Sequence, residues 1–458
     1  MLPALVALAW PTMLEQLMQT AVQYIDTAMV GSLGKQATAA VGATSTVNWL
    51  VGSTVSAISV GFLSYIAQAI GAGENDKAKK ASGQSVTAVI IVGLFFTVLT
   101  TSLSGLVPVW MQVDVSIREM ASRYFLILYT PMLFRTASII FGTVLRSAGD
   151  TKSPMIVGVF VNIINILFNF LLIYPTRSIE IFNTSYTIYG AGLGIEGAAT
   201  ASAVSYVFGG AAITIRLWRH KEISPKGQSL KPDIKILKPC LRIALPNMFQ
   251  RFATSLGYVA FASMINSLGE TSTAAHTIAN TVESAFYIPG YGMQTAAATL
   301  SGNACGAKDK EKLQALAKST IPLVVVLMIL SGGLLFTFAP KLMLLFSNDS
   351  EVIELGSTVL RMVAISEPFY GVPIVIEGIM QGAGKTIAPF IVNVLGMWCI
   401  RILGTFVCTQ LLNLGLVSAW ACMIGHNMLL FVVFIILFAS GRWKPEYMRM
   451  ERKKEISK

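Results

Sequence analysis

Two acidic residues, Glu15 and Asp26, lie in one long apolar segment near the start of the chain, with Gln19 and Gln23 between them. At about 100° per residue, the four positions fall within roughly 80° of one another on a helix and form one polar stripe. A carboxylate in a membrane-length apolar segment is costly and is a functional candidate by default. At Asp26 this chemistry is the binding of a proton or a sodium ion; the alternative is a structural hydrogen-bonded pair.

Glu15 lies on the same stripe, about 16 Å from Asp26 along a helix that rises 1.5 Å per residue. It either attracts cationic compounds or pairs with a base. Three more acids, Glu283, Glu367 and Glu377, fall in later apolar segments. They either face a cavity and hold a cation or a cationic substrate, or form salt bridges with bases that also fall in such segments. These bases are Arg135, Arg251, Arg361 and Arg401.

Aromatic side chains in the second half are candidates for a surface that binds organic cations. Flat cations bind such surfaces through cation–π contacts and adaptable packing. Each ring can equally pack against lipid or in the core. The candidates are Tyr258, Phe261, Phe286, Tyr287 and Tyr291.

The composition is that of a membrane protein. The 458 residues are 54% hydrophobic and only 12% charged, whereas a soluble domain carries about 25% charged residues. The five cysteines have no spacing typical of a zinc site or a disulfide framework, and the three histidines are scattered. These patterns predict no metal cluster and no cofactor.

Twelve apolar segments are long enough to cross a hydrocarbon core of about 30 Å. Basic residues concentrate in alternate loops, so the positive-inside rule places both termini in the cytoplasm of a multi-pass cell-membrane protein. The net charge of +11 then reflects topology and lipid contact, and no nucleic-acid partner is expected. The predicted segments are 4–31, 37–70, 83–107, 117–145, 154–174, 191–217, 236–268, 273–305, 315–339, 352–381, 388–412 and 416–439.

The second half of the chain repeats the first at an offset of 235 residues. Pro11 matches Pro246, SLG at 32–34 matches SLG at 267–269, and AGDTKSP at 148–154 matches AGKTIAP at 383–389. The copy replaces Glu15 with Gln250 and Asp26 with Phe261. Two units of six spans have the same orientation and are related by an axis along the membrane normal.

The predicted fold is therefore an all-α integral membrane protein with twelve transmembrane helices in two pseudo-symmetric six-helix lobes. The predicted N-lobe covers residues 1–217 and the C-lobe covers 236–439. An exposed cytoplasmic linker at 218–235 joins them, and a basic cytoplasmic tail follows at 440–458.

The motifs PTMLEQL, YIDTAMVGSLG, LRSAGDTKSPM and MQGAGKTIAP resemble those of the multidrug and toxic compound extrusion (MATE) transporters, over nearly the whole chain. The resemblance implies export of organic, often cationic compounds in exchange for protons or sodium by two rocking lobes, with no enzymatic activity. The chain starts almost inside its first span, so we expect the short leader common in the family to be absent or trimmed. Two complete lobes suggest that a monomer suffices.

The same resemblance suggests a coupling site in the N-lobe. Asp26 matches the acid of the first span, and Asn165 and Asn169, spaced i, i+4, match two polar positions of the fifth. Ser202 fits a hydroxyl position of this cluster. Four oxygen donors suit a small hard cation; hydrogen bonding between helices is the alternative for the asparagines. The second asparagine is often Asp in relatives, so Asn169 removes a charge.

The second half departs from part of the family. Thr254 falls near the place where some members carry an acid in the seventh span. A lipid-linked saccharide flippase of the same superfamily is the first alternative, but it needs a cationic cavity for a diphosphate, whereas the candidates here are acids. A polytopic membrane enzyme is less favoured because no nucleophile–base pair or metal cluster is visible.

Overall fold

The computed structural model describes residues 1–111, 113–181 and 184–445. The first half of the chain is helical apart from one hairpin. Its elements are α1 (Leu2–Gly31), α2 (Lys35–Gly71), α3 (Asn75–Ser102), α4 (Val107–Trp110), α5 (Val115–Tyr129), α6 (Met132–Ser147), α7 (Lys152–Leu172), β1 (Pro175–Ile181), β2 (Thr184–Ala191) and α8 (Gly194–Trp218).

The second half has no β-strand among its described residues. Two π-helical stretches, Gly396–Ile402 and Val407–Leu411, flank a short α-helix. The α-helices are α9 (Ile234–Asn266), α10 (Glu270–Phe286), α11 (Ile288–Gly306), α12 (Lys310–Leu344), α13 (Ser350–Gly382), α14 (Ile387–Leu395), α15 (Leu403–Phe406) and α16 (Leu416–Ser440).

The long helical segments occupy the twelve predicted positions. Eight segments are long and apolar enough to cross a membrane, and α5 with α6, bent by 49°, makes a ninth. The other three, α1, α9 and the α10–α11 pair, are long enough but more polar. The all-α membrane architecture is thus confirmed in outline.

Two predicted spans are broken helices. The fourth bends between Tyr129 and Met132, next to Pro131, and the eighth is interrupted at Tyr287, two residues before Pro289. Proline has no N–H to donate and disfavours a helical conformation at the residue before it, which explains a break at each place.

The connection between α7 and α8 is an antiparallel β-hairpin that the sequence analysis did not predict. Pro175 pairs with Ala191 and Ser178 with Thr187 in its register. Thr176 Oγ1 also donates to the Gly190 carbonyl at 3.1 Å. The hairpin is a local addition to the helical fold, and the sixth long helix begins at Gly194 instead of residue 191.

Turn glycines repeat together with the sequence. Gly34 and Gly269, which close the two SLG motifs, have φ of +107° and +104°, and Gly149 and Gly384 have φ of +83° and +74°. A side chain strains the backbone in this region, so both copies need glycine at these turns. The repeat at an offset of 235 residues is thus present in the backbone conformation as well as in the sequence.

The chain forms two compact units. The N-unit comprises Leu14–Phe62 and Asp76–Leu237, and the C-unit comprises Met1–Met13, Leu63–Asn75 and Lys238–Lys458. In the N-unit, α5, α6 and α7 pack on α8. In the C-unit, α13 packs against α10, α11, α12 and α16, and it crosses both large apolar clusters of that unit.

The segment predicted as an exposed linker docks on α3 within the N-unit. Gln84 Nε2 donates to the carbonyls of Ser229 and Lys231 at 3.2 and 2.9 Å, and its Oε1 accepts from Asp233 N at 2.9 Å. Thr87 Oγ1 donates to the Leu230 carbonyl at 2.7 Å. These bonds fix the segment against α3, although most of its residues are exposed, as predicted. Residues 446–458 of the predicted tail lie outside the described residues.

Candidate functional site

The predicted coupling residues meet in the N-unit. Asp26 projects from α1 toward α7, where Asn169 Nδ2 donates to its Oδ1 at 2.5 Å. Asn165 lies one turn before Asn169 on the same face of α7, and its amide reaches Ser202 Oγ of α8 at 3.2 Å. Both asparagines are buried, at 6% and 1% exposure. Three helices therefore contribute to a cluster in which three polar side chains lie around one carboxyl group.

The Asn165 amide can serve this cluster in two orientations. With its nitrogen toward α1, it donates to Asp26 Oδ1 at 2.8 Å and Oδ2 at 3.2 Å, and its oxygen accepts from Ser202 Oγ. This orientation suits an ionised carboxylate. With its oxygen toward α1, it can accept a hydrogen bond from the O–H of a neutral Asp26 while its nitrogen donates to Ser202. The site can thus hold its carboxyl group in either protonation state.

One oxygen of the cluster has no hydrogen-bond donor. Asn169 Oδ1 is buried and unpartnered within the described part of the chain. Together with the Asp26 carboxylate and the Ser202 hydroxyl, it supplies the oxygen chemistry that sodium prefers. The same ranges contain no group of three His, Cys, Asp or Glu that could hold a metal ion.

Glu15 pairs with a base that the sequence analysis had placed in a loop. Its Oε2 lies 2.6 Å from Arg146 Nη2, and the two side chains are only 11% and 16% exposed. The helix α6 extends to Ser147, so Arg146 stays on its last turn and reaches α1. Gln19 and Gln23, between Glu15 and Asp26, are exposed.

Glu283 and Glu367 are buried in the C-unit, contrary to the prediction that they face a cavity. Their exposures are 1% and 0%, because the helices around α13 pack over them. Glu283 accepts a hydrogen bond from the Tyr287 hydroxyl. Neither oxygen of Glu367 has a donor among the described residues, and within those residues no ion pair joins either acid to a base.

Glu377 lies in a different setting, on the half-buried face of α13. Its Oε1 accepts from Gln250 Nε2 at 2.9 Å and Gln381 Nε2 at 3.0 Å. Its Oε2 accepts from Asn393 Nδ2 at 3.3 Å. Amides, not the bases considered from sequence, therefore hold this carboxylate.

Three of the four bases considered from sequence contact aromatic rings instead of these acids. The Arg401 guanidinium lies 4.9 Å from the Tyr258 ring centroid and 4.3 Å from that of Phe261. Arg361 lies 5.8 Å from the ring of Phe336. In the N-unit, Arg135 lies 5.0 Å from the Tyr206 ring and donates to Asn48 Oδ1 at 2.6 Å.

The predicted aromatic surface is only partly accessible. Tyr258 and Tyr291 are 41% and 38% exposed, whereas Phe261 is 1% exposed and belongs to the core. The prediction of Phe261 as a cavity residue is therefore wrong, because its ring packs edge-on against His276. Phe286 and Tyr287 are half-buried.

Tyr370, which the sequence analysis did not select, joins this aromatic group. Its ring lies 4.9 Å from that of Tyr287, and its hydroxyl lies 3.5 Å from that of Tyr291. Its position three residues after Glu367, on the next turn of α13, is the signal that could have revealed it.

Comparisons with known proteins agree with the repeat and the fold. The MatE family model matches residues 11–171 and 246–407, one match in each half. The probable multidrug resistance protein NorM of Thermotoga maritima is 27% identical over 453 residues, which are 99% of this chain and 95% of that protein. The probable multidrug resistance protein YoeA of Bacillus subtilis is 23% identical over 447 residues, covering 95% and 93% of the two chains.

Solved structures share the fold. A crystal structure of MATE in complex with MaL6 has a TM-score of 0.88 at 23% identity and covers 99% of this chain and 97% of that one. A transporter of the MOP superfamily from Pyrococcus furiosus has a TM-score of 0.87 at 23% identity, with 96% and 95% covered. The chain belongs to the MatE family and is a MATE transporter.

Proposed function

We propose that the protein is a secondary active exporter that expels organic, cationic and amphipathic compounds in exchange for protons or sodium. Its membrane architecture and its relatives, which are named as multidrug resistance proteins, support multidrug efflux. The coupling ion and the antiport mechanism rest on the geometry around Asp26. Alternating access, with the site open first to one side of the membrane and then to the other, completes the proposal.

The observation that carries the proposal is a single carboxyl group held by two asparagines of one helix face. Asn169 donates to Asp26 at 2.5 Å, and Asn165 can either donate to it or accept from it. A proton arriving from the outer side neutralises Asp26, and the Asn165 amide then turns its oxygen toward the new O–H. Release of the proton on the inner side restores the carboxylate and the donating amide.

Sodium can use the same residues. The Asp26 carboxylate supplies the charge, and Asn169 Oδ1, which has no donor in the described chain, supplies a neutral oxygen. Asn165 Oδ1 and Ser202 Oγ complete a set of oxygen ligands. Because Asn169 stands where an acid would add a second charge, this site holds a monovalent cation less tightly than a two-carboxylate site would.

The proposed substrates are small organic cations that also interact with the lipid bilayer. Exposed rings at Tyr258 and Tyr291 suit flat cations, since a ring face attracts positive charge. The half-buried carboxylate of Glu377 in the C-unit favours cations over anions. It also disfavours a saccharide flippase, because a diphosphate needs several bases at its binding surface.

Dye efflux tests this function directly. Cells that contain the protein should export ethidium, and inverted vesicles should accumulate it. Asp26→Asn should abolish both at unchanged expression. Glu119→Gln removes a carboxylate that is 80% exposed and is the matched control. Retained export by Asp26→Asn would exclude Asp26 as the coupling residue.

A further inference from the structure

Glu15 and three positions near it in the N-unit have repeat partners that form the cluster around Glu377 in the C-unit. At the 235-residue offset, Glu15, Gly142, Arg146 and Gly158 correspond to Gln250, Glu377, Gln381 and Asn393. All four C-unit residues belong to one hydrogen-bond cluster. The same place in the fold therefore holds two different polar arrangements.

In the N-unit the carboxylate has a built-in counter-charge. Arg146 Nη2 lies 2.6 Å from Glu15 Oε2, and a glycine lies beside each of the two side chains. A Cβ at Gly158 would lie 3.2 Å from Glu15 Cγ, and one at Gly142 would lie 3.7 Å from Arg146 Nη1. The charges of Glu15 and Arg146 therefore neutralise each other.

In the C-unit the residue types are exchanged and the counter-charge is lost. Gln250 replaces Glu15 and Gln381 replaces Arg146, while the carboxylate moves to Glu377 at the position of Gly142. Three amides donate to it at 2.9, 3.0 and 3.3 Å. Amides orient a carboxylate and delocalise its charge, but they do not neutralise it, and a half-buried negative charge without a cation is unfavourable.

Arg251 is the base next to this cluster in the sequence. It follows Gln250 on α9, yet no ion pair within 4 Å joins it to Glu377 in the described chain, and Arg251 Nε is buried without a partner. In the same unit, Tyr291 is 38% exposed. The cluster thus offers a held carboxylate and a base that does not close on it.

We infer that Glu377 binds the positively charged group of an organic cation in the C-unit, at the place where Arg146 supplies a permanent counter-charge in the N-unit. The inference rests on the proposed export of cations and assigns them a site. Gln250, Gln381 and Asn393 fix the orientation of the carboxylate, and Tyr291 provides a ring face for an aromatic cation. The N-unit site is closed by its own arginine, so cation binding is specific to one copy of the repeat.

Equilibrium binding of tetraphenylphosphonium to the purified full-length protein tests the inference. Glu377→Gln keeps the size of the side chain and removes its charge, so it should weaken binding at least tenfold. Gln381→Arg keeps the carboxylate but rebuilds the N-unit ion pair, so it should weaken binding by a similar factor. Glu377→Asp retains the charge and should keep more affinity than Glu377→Gln.

Two results would overturn the inference: affinity within twofold of the wild type in Glu377→Gln, or wild-type affinity in Gln381→Arg. Thermal unfolding of each variant without ligand identifies misfolded samples; if one of Glu377→Gln and Gln381→Arg fails to fold, the other carries the test. Ethidium export by the wild type and by Asp26→Asn is measured in parallel. If ethidium export depends on Asp26 but tetraphenylphosphonium binding does not depend on Glu377, only this inference is refuted. If the wild type does not export ethidium, the proposed function is refuted.

Discussion

Gly71 of α2 and Gly306 of α11 hold equivalent positions in the repeat, and each packs against the helix that carries the other. A Cβ at Gly71 would lie 2.7 Å from the Asn303 carbonyl carbon, and a Cβ at Gly306 would lie 2.7 Å from the Gln68 carbonyl carbon. Gln68 and Asn303 are themselves repeat partners at the 235-residue offset. The two helices therefore cross symmetrically within the C-unit, at the ends that the charge distribution assigns to the cytoplasm.

This crossing predicts that Gly306→Leu disrupts the contact between α2 and α11. Two backbones in direct contact cannot admit a side chain without moving apart, and overpacking of this kind costs about 1–3 kcal/mol. We expect a lower unfolding temperature in detergent and reduced ethidium export. Gly425→Leu is the control, because a Cβ there meets open space. Equal behaviour of the two variants would contradict a close crossing.

The Glu15–Arg146 pair predicts a non-additive response to mutation. Arg146→Gln leaves a largely buried carboxylate without its counter-charge, which we expect to destabilise the protein by about 2 kcal/mol, somewhat less than the value for a fully buried pair. Glu15→Gln with Arg146→Gln reproduces the uncharged glutamines of the C-unit and should recover most of that loss. Thermal unfolding of both single variants and the double variant measures the coupling; strictly additive effects would show that the ion pair contributes nothing.

Asp150 predicts a pH dependence outside the membrane spans. Burial alone would raise the pKa of Asp150, but hydrogen bonds from Ser153 and the charge of Arg216 outweigh it and hold the pKa below its ordinary value. A lowered folded-state pKa stabilises the protein above the unfolded-state pKa of about 3.9, and this stabilisation is lost as pH falls through the folded-state value.

The variant Asp150→Asn keeps an acceptor for Ser153 N but loses the charge that pairs with Arg216, so it should be less stable at pH 7 by about 0.5 kcal/mol. The difference from the wild type should shrink as pH falls below about 4, where the wild-type carboxylate is protonated too. Unfolding temperatures at a series of pH values check this. A difference that stays constant down to the lowest pH would mean that the Asp150 charge has no role.

Hydrophobic length and the internal repeat were sufficient to predict the twelve segments, because spanning helices must satisfy their backbone bonds internally and be apolar over a fixed length. The hairpin at Pro175–Ala191 was missed, since it lies between spans and its short strands carry no membrane-length signal. The pairing of Glu15 with Arg146 was missed because the predicted fourth span ended at residue 145, one residue too early.

The grouping of Asp26, Asn165 and Asn169 was predicted from the resemblance and from the i, i+4 spacing of the two asparagines, which does not depend on tertiary detail. The partners of the C-unit acids were not found, because a sequence does not say which face of α13 meets which helix. Glu377 and Gln381, at i, i+4, share one face, and Glu367 is on another turn among apolar residues. The repeat register, applied to Arg146 and Gln381, would have revealed the first of these groups.

Ion flux through Asp26 is the most direct test of the proposed antiport. The purified protein is reconstituted in proteoliposomes that are loaded with ethidium or tetraphenylphosphonium. Proton movement is recorded with a pH dye and, in a separate experiment, sodium movement with radioactive sodium. We expect an outward gradient of the organic cation to drive inward movement of one of the two ions, and Asp26→Asn to abolish it while Glu119→Gln does not. Substrate-driven ion flux that persists in Asp26→Asn would contradict the account.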